Sequence, residues 1–262
     1  MKAVLIQLAV PEYEQPRERS QRVQQLLSRV AEGRQPCDLL LLPELWKNGF
    51  SNFEQYARNA ELPGGIIRTF SRWSQRLSCT IIPGSFLEKH EDGSVTNTTP
   101  LLLPDGSQAA AYRKLHLFGY HSRESKLLRA GDGVTVVDTP IGRVGLATCY
   151  DLRFPEQFRA MVDAGAQIFC VTAAWPQVRL TDWRLLCRVR ALENQCFLFA
   201  CNHAGEHAGV VGGGHSMAVA PDGTILAEAA EGETVLTVEF DPKQVVRVRE
   251  QFPVLRDRVE IR

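Results

Sequence analysis

Continuous apolar runs separated by helical stripes constrain this chain more than any other feature. Ala3 to Val10 (AVLIQLAV), Leu39 to Pro43 (LLLLP), Gln167 to Ala174 (QIFCVTAA) and Cys196 to Asn202 (CFLFACN) alternate too little between polar and apolar to be half exposed. Runs of this kind read as strands covered on both faces. Between them, apolar residues fall at helical spacing. Val23, Leu26, Leu27 and Val30 form one stripe within residues 17–33, with Gly33 and Pro36 as the stop. Ile66, Phe70, Trp73 and Leu77 form another after Gly64 and Gly65, and an aromatic stripe so spaced reads as core packing. Further helices are expected over 155–164 and 181–194, and a strand from Thr80 to Phe86. Buried strands alternating with one-faced helices give an α/β layered fold.

The remaining stretches read as hairpins. TNTTPLLLPDGSQAAAYRK and HSMAVAPDGTILAEA each carry a PDG turn, and VTVVDTPIGRVGLATC turns between Thr139 and Gly142. The repeated PDG hairpin raises an internal duplication. No linker interrupts the pattern, so the 262 residues are expected to form one domain, 1–262.

Charge and cysteine usage narrow the function. The 30 basic and 30 acidic residues leave a formal net charge of +0, which draws the chain to neither nucleic acid nor an anionic membrane. Seven cysteines with no CxxC pair suit reduced thiols in a cytoplasmic protein better than a disulfide framework. No apolar run approaches the length of a membrane span, and the start of the chain lacks a cleavable signal pattern. The histidines have no metal-ligand spacing; His116 and His215 read as satisfied polar residues near a pocket. No metal and no organic cofactor is expected.

Chemistry concentrates in GLATCYDLRFPE, residues 145–156. An apolar strand, Arg143 to Thr148, stops at Cys149, and a helix starts near Pro155. A thiol at such an elbow sits beside freed N–H groups and the positive end of a helix, which favour a reactive thiolate and can hold an oxyanion. The alternative is a small buried thiol ending a core strand. The polar company of Tyr150, Asp151, Arg153 and Glu156 argues against it. A base is on offer at Glu44, where the run LLLLP ends; burial there disfavours the charged carboxylate, the condition for a proton acceptor near neutral pH. An exposed glutamate opening a loop is the other reading. Lys114, among the apolar neighbours of YRKLHLF, is either an oxyanion-stabilising ammonium or a solvated strand-end lysine.

PEL around Glu44, YRKLHLF around Lys114 and CYDLRFPE around Cys149 occur in that order, and together they resemble the Glu-Lys-Cys motifs of the nitrilase superfamily of carbon–nitrogen hydrolases. The resemblance runs from AVLIQLAV through WRLLCRVRALENQCFLFACN and GGGHSMAVAPDGTILAE to QFPVLRDR. It implies a four-layer αββα sandwich and a homodimer or higher even oligomer. Residues from about 245 to 262 would form a C-terminal extension that crosses to the partner. It also implies that Glu44 is the general base, Lys114 the oxyanion-stabilising lysine and Cys149 the nucleophile. A second glutamate of the family lies seven residues before a glycine, and Glu124, ahead of Gly131, fits. Trp46, Phe118, Tyr150, Arg153, Ala174 and Trp175 are expected to line or border the site. YRKLHLF, CYDLRFPE, TAAWP and GGGHSM look closest to the ω-amidase and deaminated-glutathione-amidase branch. The implied substrate is a small ω-amide of a dicarboxylic or 2-oxo acid. N-carbamoyl amines, nitriles and a non-catalytic scaffold member stand as alternatives.

Overall fold

The computed structural model describes residues 1–33, 37–62 and 64–259. Pro36, expected to end the first helix, lies outside them, as do residues 260–262 at the end of the expected extension. In chain order the strands and helices are β1 (Lys2–Gln7), α1 (Pro16–Glu32), β2 (Leu39–Leu41), α2 (Tyr56–Asn59), α3 (Gly65–Leu77), β3 (Thr80–Ile82), β4 (Phe86–Lys89), β5 (Val95–Leu102), β6 (Gln108–Arg113), α4 (Glu124–Leu127) and β7 (Thr135–Thr139). They continue as β8 (Gly142–Thr148), α5 (Pro155–Asp163), β9 (Ile168–Ala173), α6 (Leu180–Asn194), β10 (Phe197–Asn202), β11 (Glu206–His207), β12 (Val210–Val211), β13 (Met217–Val219), β14 (Ile225–Glu228), β15 (Thr234–Glu239) and α7 (Gln244–Gln251).

Two sheets carry the fold. One has the order β15-β1-β2-β3-β5-β4, with β6 also on β5; the other runs β14-β13-β10-β9-β8-β7. β1 and β3 pair parallel to β2, and β8 and β10 pair parallel to β9. Each trio is flanked by antiparallel partners, β15 and β5 in the first sheet, β7 and β13 in the second. The two PDG turns occupy matching places, joining β5 to β6 and β13 to β14.

Strand parity explains the unbroken apolar runs, because successive side chains point to opposite faces. Ala3 and Leu5 of β1 meet Leu146, Cys170 and Phe199 in a core between the sheets. Val4 and Ile6, on the other face of β1, pack against Val23 and Leu27 of α1 and Phe70 and Trp73 of α3. On the far side, Phe169, Val171 and Leu198 are covered by Phe158 and Met161 of α5 and Trp183 and Cys187 of α6. The layers are therefore helix, sheet, sheet, helix.

The expected strand from Thr80 to Phe86 is divided. Pro83 lacks an N–H and gives its carbonyl to Trp46 Nε1 at 2.7 Å, so β3 stops there. Gly84 at φ 78° then lies so close to the Glu44 turn that a Cβ on it would meet the Pro43 oxygen at 2.0 Å. The basic residues Arg247 and Arg249 lie in α7, and Val245 anchors that helix in the inter-sheet core.

Candidate active site

The C-terminal ends of strands from both sheets converge on one point, where ligands bind in open α/β sheets. Glu44 follows β2, Lys114 follows β6, Cys149 follows β8 and Ala174 follows β9. Glu44 ties the two sheets together there. Its N–H donates to the Ala173 carbonyl at 3.3 Å, and its Oε2 accepts the Ala174 N–H at 3.0 Å. Lys114 Nζ donates to Glu44 Oε1 at 2.8 Å and to both oxygens of Glu124 at 3.0 Å. All three side chains are fully buried.

The electrostatics of this set follow from burial and from the ratio of two carboxylates to one ammonium. Burial alone would lower the Lys114 pKa, but Glu124 and Glu44 outweigh it and push the value up, so Lys114 stays charged. Burial raises the Glu124 carboxyl; Lys114 opposes that rise and Glu44 adds to it. Cys149 is held well above an ordinary thiol, first by burial and then by the charge on Glu44. Glu44 and the Ala174 N–H both lie close enough to the sulfur to act on it, the carboxylate raising its pKa and the N–H lowering it. The resting side chain is a thiol. The expectation that the elbow depresses its pKa is overturned for a physical reason. Cys149 opens a five-residue 3₁₀ turn, Cys149–Arg153, and α5 begins only at Pro155, so desolvation and the adjacent carboxylate dominate. A thiol so placed calls for a neighbouring proton acceptor, and Glu44 is the carboxylate that acts on it most strongly.

Cys149 stands in the left-handed region at φ 50°, an uncommon place for a residue with a side chain. Thr148 and Asp151 fix that turn, with Asp151 Oδ2 accepting the Thr148 N–H at 2.7 Å and the Tyr112 hydroxyl at 2.6 Å. The turn presents Cys149 to a cavity of about 400 Å³, a volume suited to a small molecule. Among the described residues no group of three or more His, Cys, Asp or Glu side chains is placed to hold a metal ion, and no helix is long and apolar enough to cross a membrane.

A buried glutamate, lysine and cysteine meeting at the strand ends of such a sandwich are accompanied by a sequence match to the carbon-nitrogen hydrolase family over residues 2–250. The chain belongs to that family. It is similar to a 2-oxoglutaramate amidase of Paenarthrobacter nicotinovorans, with 37% identity over 249 residues that cover 92% of this chain and 83% of the relative. The omega-amidase NIT2 of Homo sapiens is 34% identical over 237 residues, 86% of this chain and 84% of that protein. The crystal structure of Saccharomyces cerevisiae Nit3, a member of branch 10 of the nitrilase superfamily, superposes with a TM-score of 0.89 at 29% identity, covering 97% of this chain and 94% of that one. The superfamily resemblance and the four-layer sandwich are thus borne out.

In this carbon–nitrogen hydrolase, Glu44, Lys114, Glu124 and Cys149 form one contiguous set. The seven-residue spacing from Glu124 has a cause. Gly131 N–H donates to the Lys114 carbonyl at 2.9 Å, and a Cβ on Gly131 would meet the Arg113 oxygen at 2.2 Å. Phe118, Tyr150, Arg153, Ala174 and Trp175 all line the cavity. Trp46 does not. Leu45 takes φ 43°, and Trp46 faces the helix layer, donating to Pro83 and meeting the edge of Phe70 at 6.3 Å between ring centres. Arg153 faces the cavity with its charge already met: it donates to Asp182 Oδ2 at 2.7 Å, not to Glu156, and lies over the Trp175 ring at 4.9 Å. His116 Nδ1 is 2.9 Å from Asp151 Oδ1, and His215 Nδ1 is 2.8 Å from Glu228 Oε1, so both imidazoles have carboxylate partners of their own.

Two groups escaped the sequence reading. Asn97, buried on β5, donates from Nδ2 to Glu44 Oε1 at 2.8 Å and to Glu124 Oε1 at 3.1 Å. The only signal was an amide within TNTTP, a segment that reads as an ordinary hairpin strand. His203, just after β10, and His207, in β11, line the cavity, with His203 Nε2 and His207 Nδ1 buried and without a hydrogen-bond partner among the described residues.

Proposed function

We propose that this enzyme hydrolyses the terminal amide of a small dicarboxylic acid monoamide, 2-oxo acid monoamides included, through a thioester on Cys149. The observation that carries the reading is the buried Glu44–Lys114 pair, with Lys114 Nζ 2.8 Å from Glu44 Oε1, set beside the Cys149 thiol at the floor of a small cavity. Glu44 takes the thiol proton as sulfur attacks the amide carbon. The carbonyl electrons move onto oxygen, where Lys114 and the Tyr150 N–H stabilise them; losing one such donor slows turnover by about 100- to 1000-fold. The tetrahedral adduct collapses, Glu44 returns its proton to nitrogen and ammonia leaves. Water, deprotonated by Glu44, then attacks the thioester carbonyl and releases the carboxylate and the thiol. Glu124 and Asn97 hold Lys114 and Glu44 in register throughout. The names of the relatives, 2-oxoglutaramate amidase and omega-amidase, support the choice of amide.

The test is ammonia release from a panel of ω-amide acids, nitriles and N-carbamoyl amines, with hydroxylamine added to trap the acyl-enzyme. Preference for a nitrile or a carbamoyl compound would move the enzyme elsewhere in the family. Inertness towards all three classes would favour the scaffold reading.

The same proposal takes the chain as a cytoplasmic enzyme, in keeping with its free, buried thiols, folded as one domain. It takes the assembly as a homodimer or higher even oligomer. Leu185 and Leu192 support this by standing exposed on α6, whose other side covers the sheet. The extension is tied to its own chain at two points, the Phe252 carbonyl accepting Gln195 Nε2 at 2.6 Å and Arg258 pairing with Asp163 at 2.6 Å, so a crossing to a partner would begin beyond Arg258. Light scattering across a dilution series tests the oligomer.

A further inference from the structure

The cavity that exposes Cys149 has no aspartate or glutamate among its lining residues, whereas two arginines and three histidines border it. Such a wall suits an anion, and the two arginines differ in what remains free. Arg153 is neutralised by Asp182 at 2.7 Å. Arg179 has no carboxylate partner among the described residues. Its guanidinium lies over two rings instead, with Cζ 5.6 Å from the centres of both Phe118 and Tyr120. Contact with ring faces leaves the in-plane N–H edge of a guanidinium open, and that edge matches a carboxylate in bidentate fashion.

Arg179 is also held in register with the reacting groups from both sides. Its carbonyl accepts Trp175 Nε1 at 2.8 Å, and Trp175 follows Ala174, whose N–H is bound to Glu44. Phe118, one of the two rings, donates its N–H to Glu124 Oε2 at 2.7 Å and meets the Tyr150 ring at 5.1 Å. The arginine and the Phe118 ring under it are thus each anchored to the Glu44–Lys114–Glu124 cluster.

We propose that Arg179 reads the distal carboxylate of the substrate, so that the site selects anionic ω-amide acids over neutral amides. This rests on the amide hydrolysis proposed above. Arg153 then acts as a wall, stacked on Trp175 and tied to Asp182.

The experiment compares the five-carbon 2-oxo acid ω-amide with its methyl ester, in wild type, Arg179→Gln, Arg179→Lys and Arg153→Gln, with melting temperatures recorded for each. Wild type is expected to prefer the acid. Arg179→Gln should lower kcat/KM for the acid by about 10- to 100-fold, the loss expected for one charge-assisted pair. The loss should appear in KM, with kcat and the ester rate little changed, and Arg179→Lys should recover part of it. An Arg179→Gln enzyme that keeps the acid preference overturns the assignment, as does a preference abolished by Arg153→Gln instead. Equal wild-type rates on acid and ester also overturn it while leaving amide hydrolysis intact. Ammonia from neither compound, but from a nitrile or carbamoyl amine, removes the amide reading and this assignment with it.

Discussion

Two buried carboxylates, Glu44 and Glu124, share one ammonium: Lys114 Nζ lies 2.8 Å from Glu44 Oε1 and 3.0 Å from each oxygen of Glu124. Of the two, only Glu44 acts on the thiol. In the proposed mechanism Glu124 acts by keeping Lys114 partly turned away from Glu44. Without its charge, Lys114 would pair with Glu44 alone and make that carboxylate a poorer proton acceptor. Glu124→Gln is expected to lower kcat by about 100-fold or more, within the range for impaired general-base catalysis. Its melting temperature should also fall, because Lys114, Asn97 and the Phe118 N–H all donate to Glu124 and the amide NH2 of Gln would face donors, so rates are compared where both proteins are folded. Wild-type kcat in a folded Glu124→Gln protein would remove Glu124 from the machinery.

All seven cysteines are buried, and Cys149 alone among them lines the cavity. Its thiol is pushed up by burial, so alkylation depends on handing the proton to Glu44 rather than on a standing thiolate. Iodoacetamide at neutral pH should label Cys149 first, and Glu44→Gln should slow that labelling by at least about tenfold. Peptide mapping by mass spectrometry checks both statements. Labelling of Cys37 or Cys79 ahead of Cys149, with activity preserved, would contradict them.

A papain-like mechanism would need an imidazole on the thiol. His116 instead spends its Nδ1 on Asp151 at 2.9 Å and stacks on Phe154 at 3.7 Å between ring centres. His116→Ala should therefore cost about 1–2 kcal/mol of stability, a lost hydrogen bond to a charged group, and leave kcat within about tenfold of wild type. Glu44→Gln should lose about 1000-fold or more. Urea titration and steady-state rates separate the two effects. A His116 variant as inactive as Cys149→Ala, beside an active Glu44→Gln, would reverse the assignment.

How far these relationships were legible in the sequence depended on where each residue sits. Glu44 and Cys149 each close an apolar run and Lys114 follows the strand segment AAAYR, and a polar residue at a strand end is visible without knowing its partners. Asn97 was not visible, because its partners lie 53 and 27 residues away and a buried amide on one strand leaves no local signature. Trp46 was misplaced because nothing in PELW announces that Leu45 turns into the left-handed region and sends the indole outward. The acidity of Cys149 was misjudged because the helix effect is readable from order along the chain, whereas desolvation depends on which elements close over the thiol. The layered fold was legible because parity along β1, β2, β8, β9 and β10 makes both faces apolar.

His203 carries the last prediction. It is buried in the cavity wall, and its Nε2 has no partner among the described residues. Burial, with lesser contributions from His207 and Arg19, pulls its pKa down to about 4. An unfolded histidine titrates near 6.5, so between pH 6.5 and 4 the unfolded chain binds a proton at this site that the folded chain refuses. The folded state keeps its full advantage above that window, loses it progressively as pH falls through it, and loses nothing further below about 4. The gap corresponds to about 3 kcal/mol at the acid end. His207, lowered chiefly by burial, adds in the same direction. Urea unfolding at pH 7.5 and pH 4.5 should show wild type losing more stability on acidification than His203→Gln, by about 2–3 kcal/mol. Parallel acid limbs for the two proteins would show that His203 is protonated as readily in the folded enzyme as in the unfolded chain.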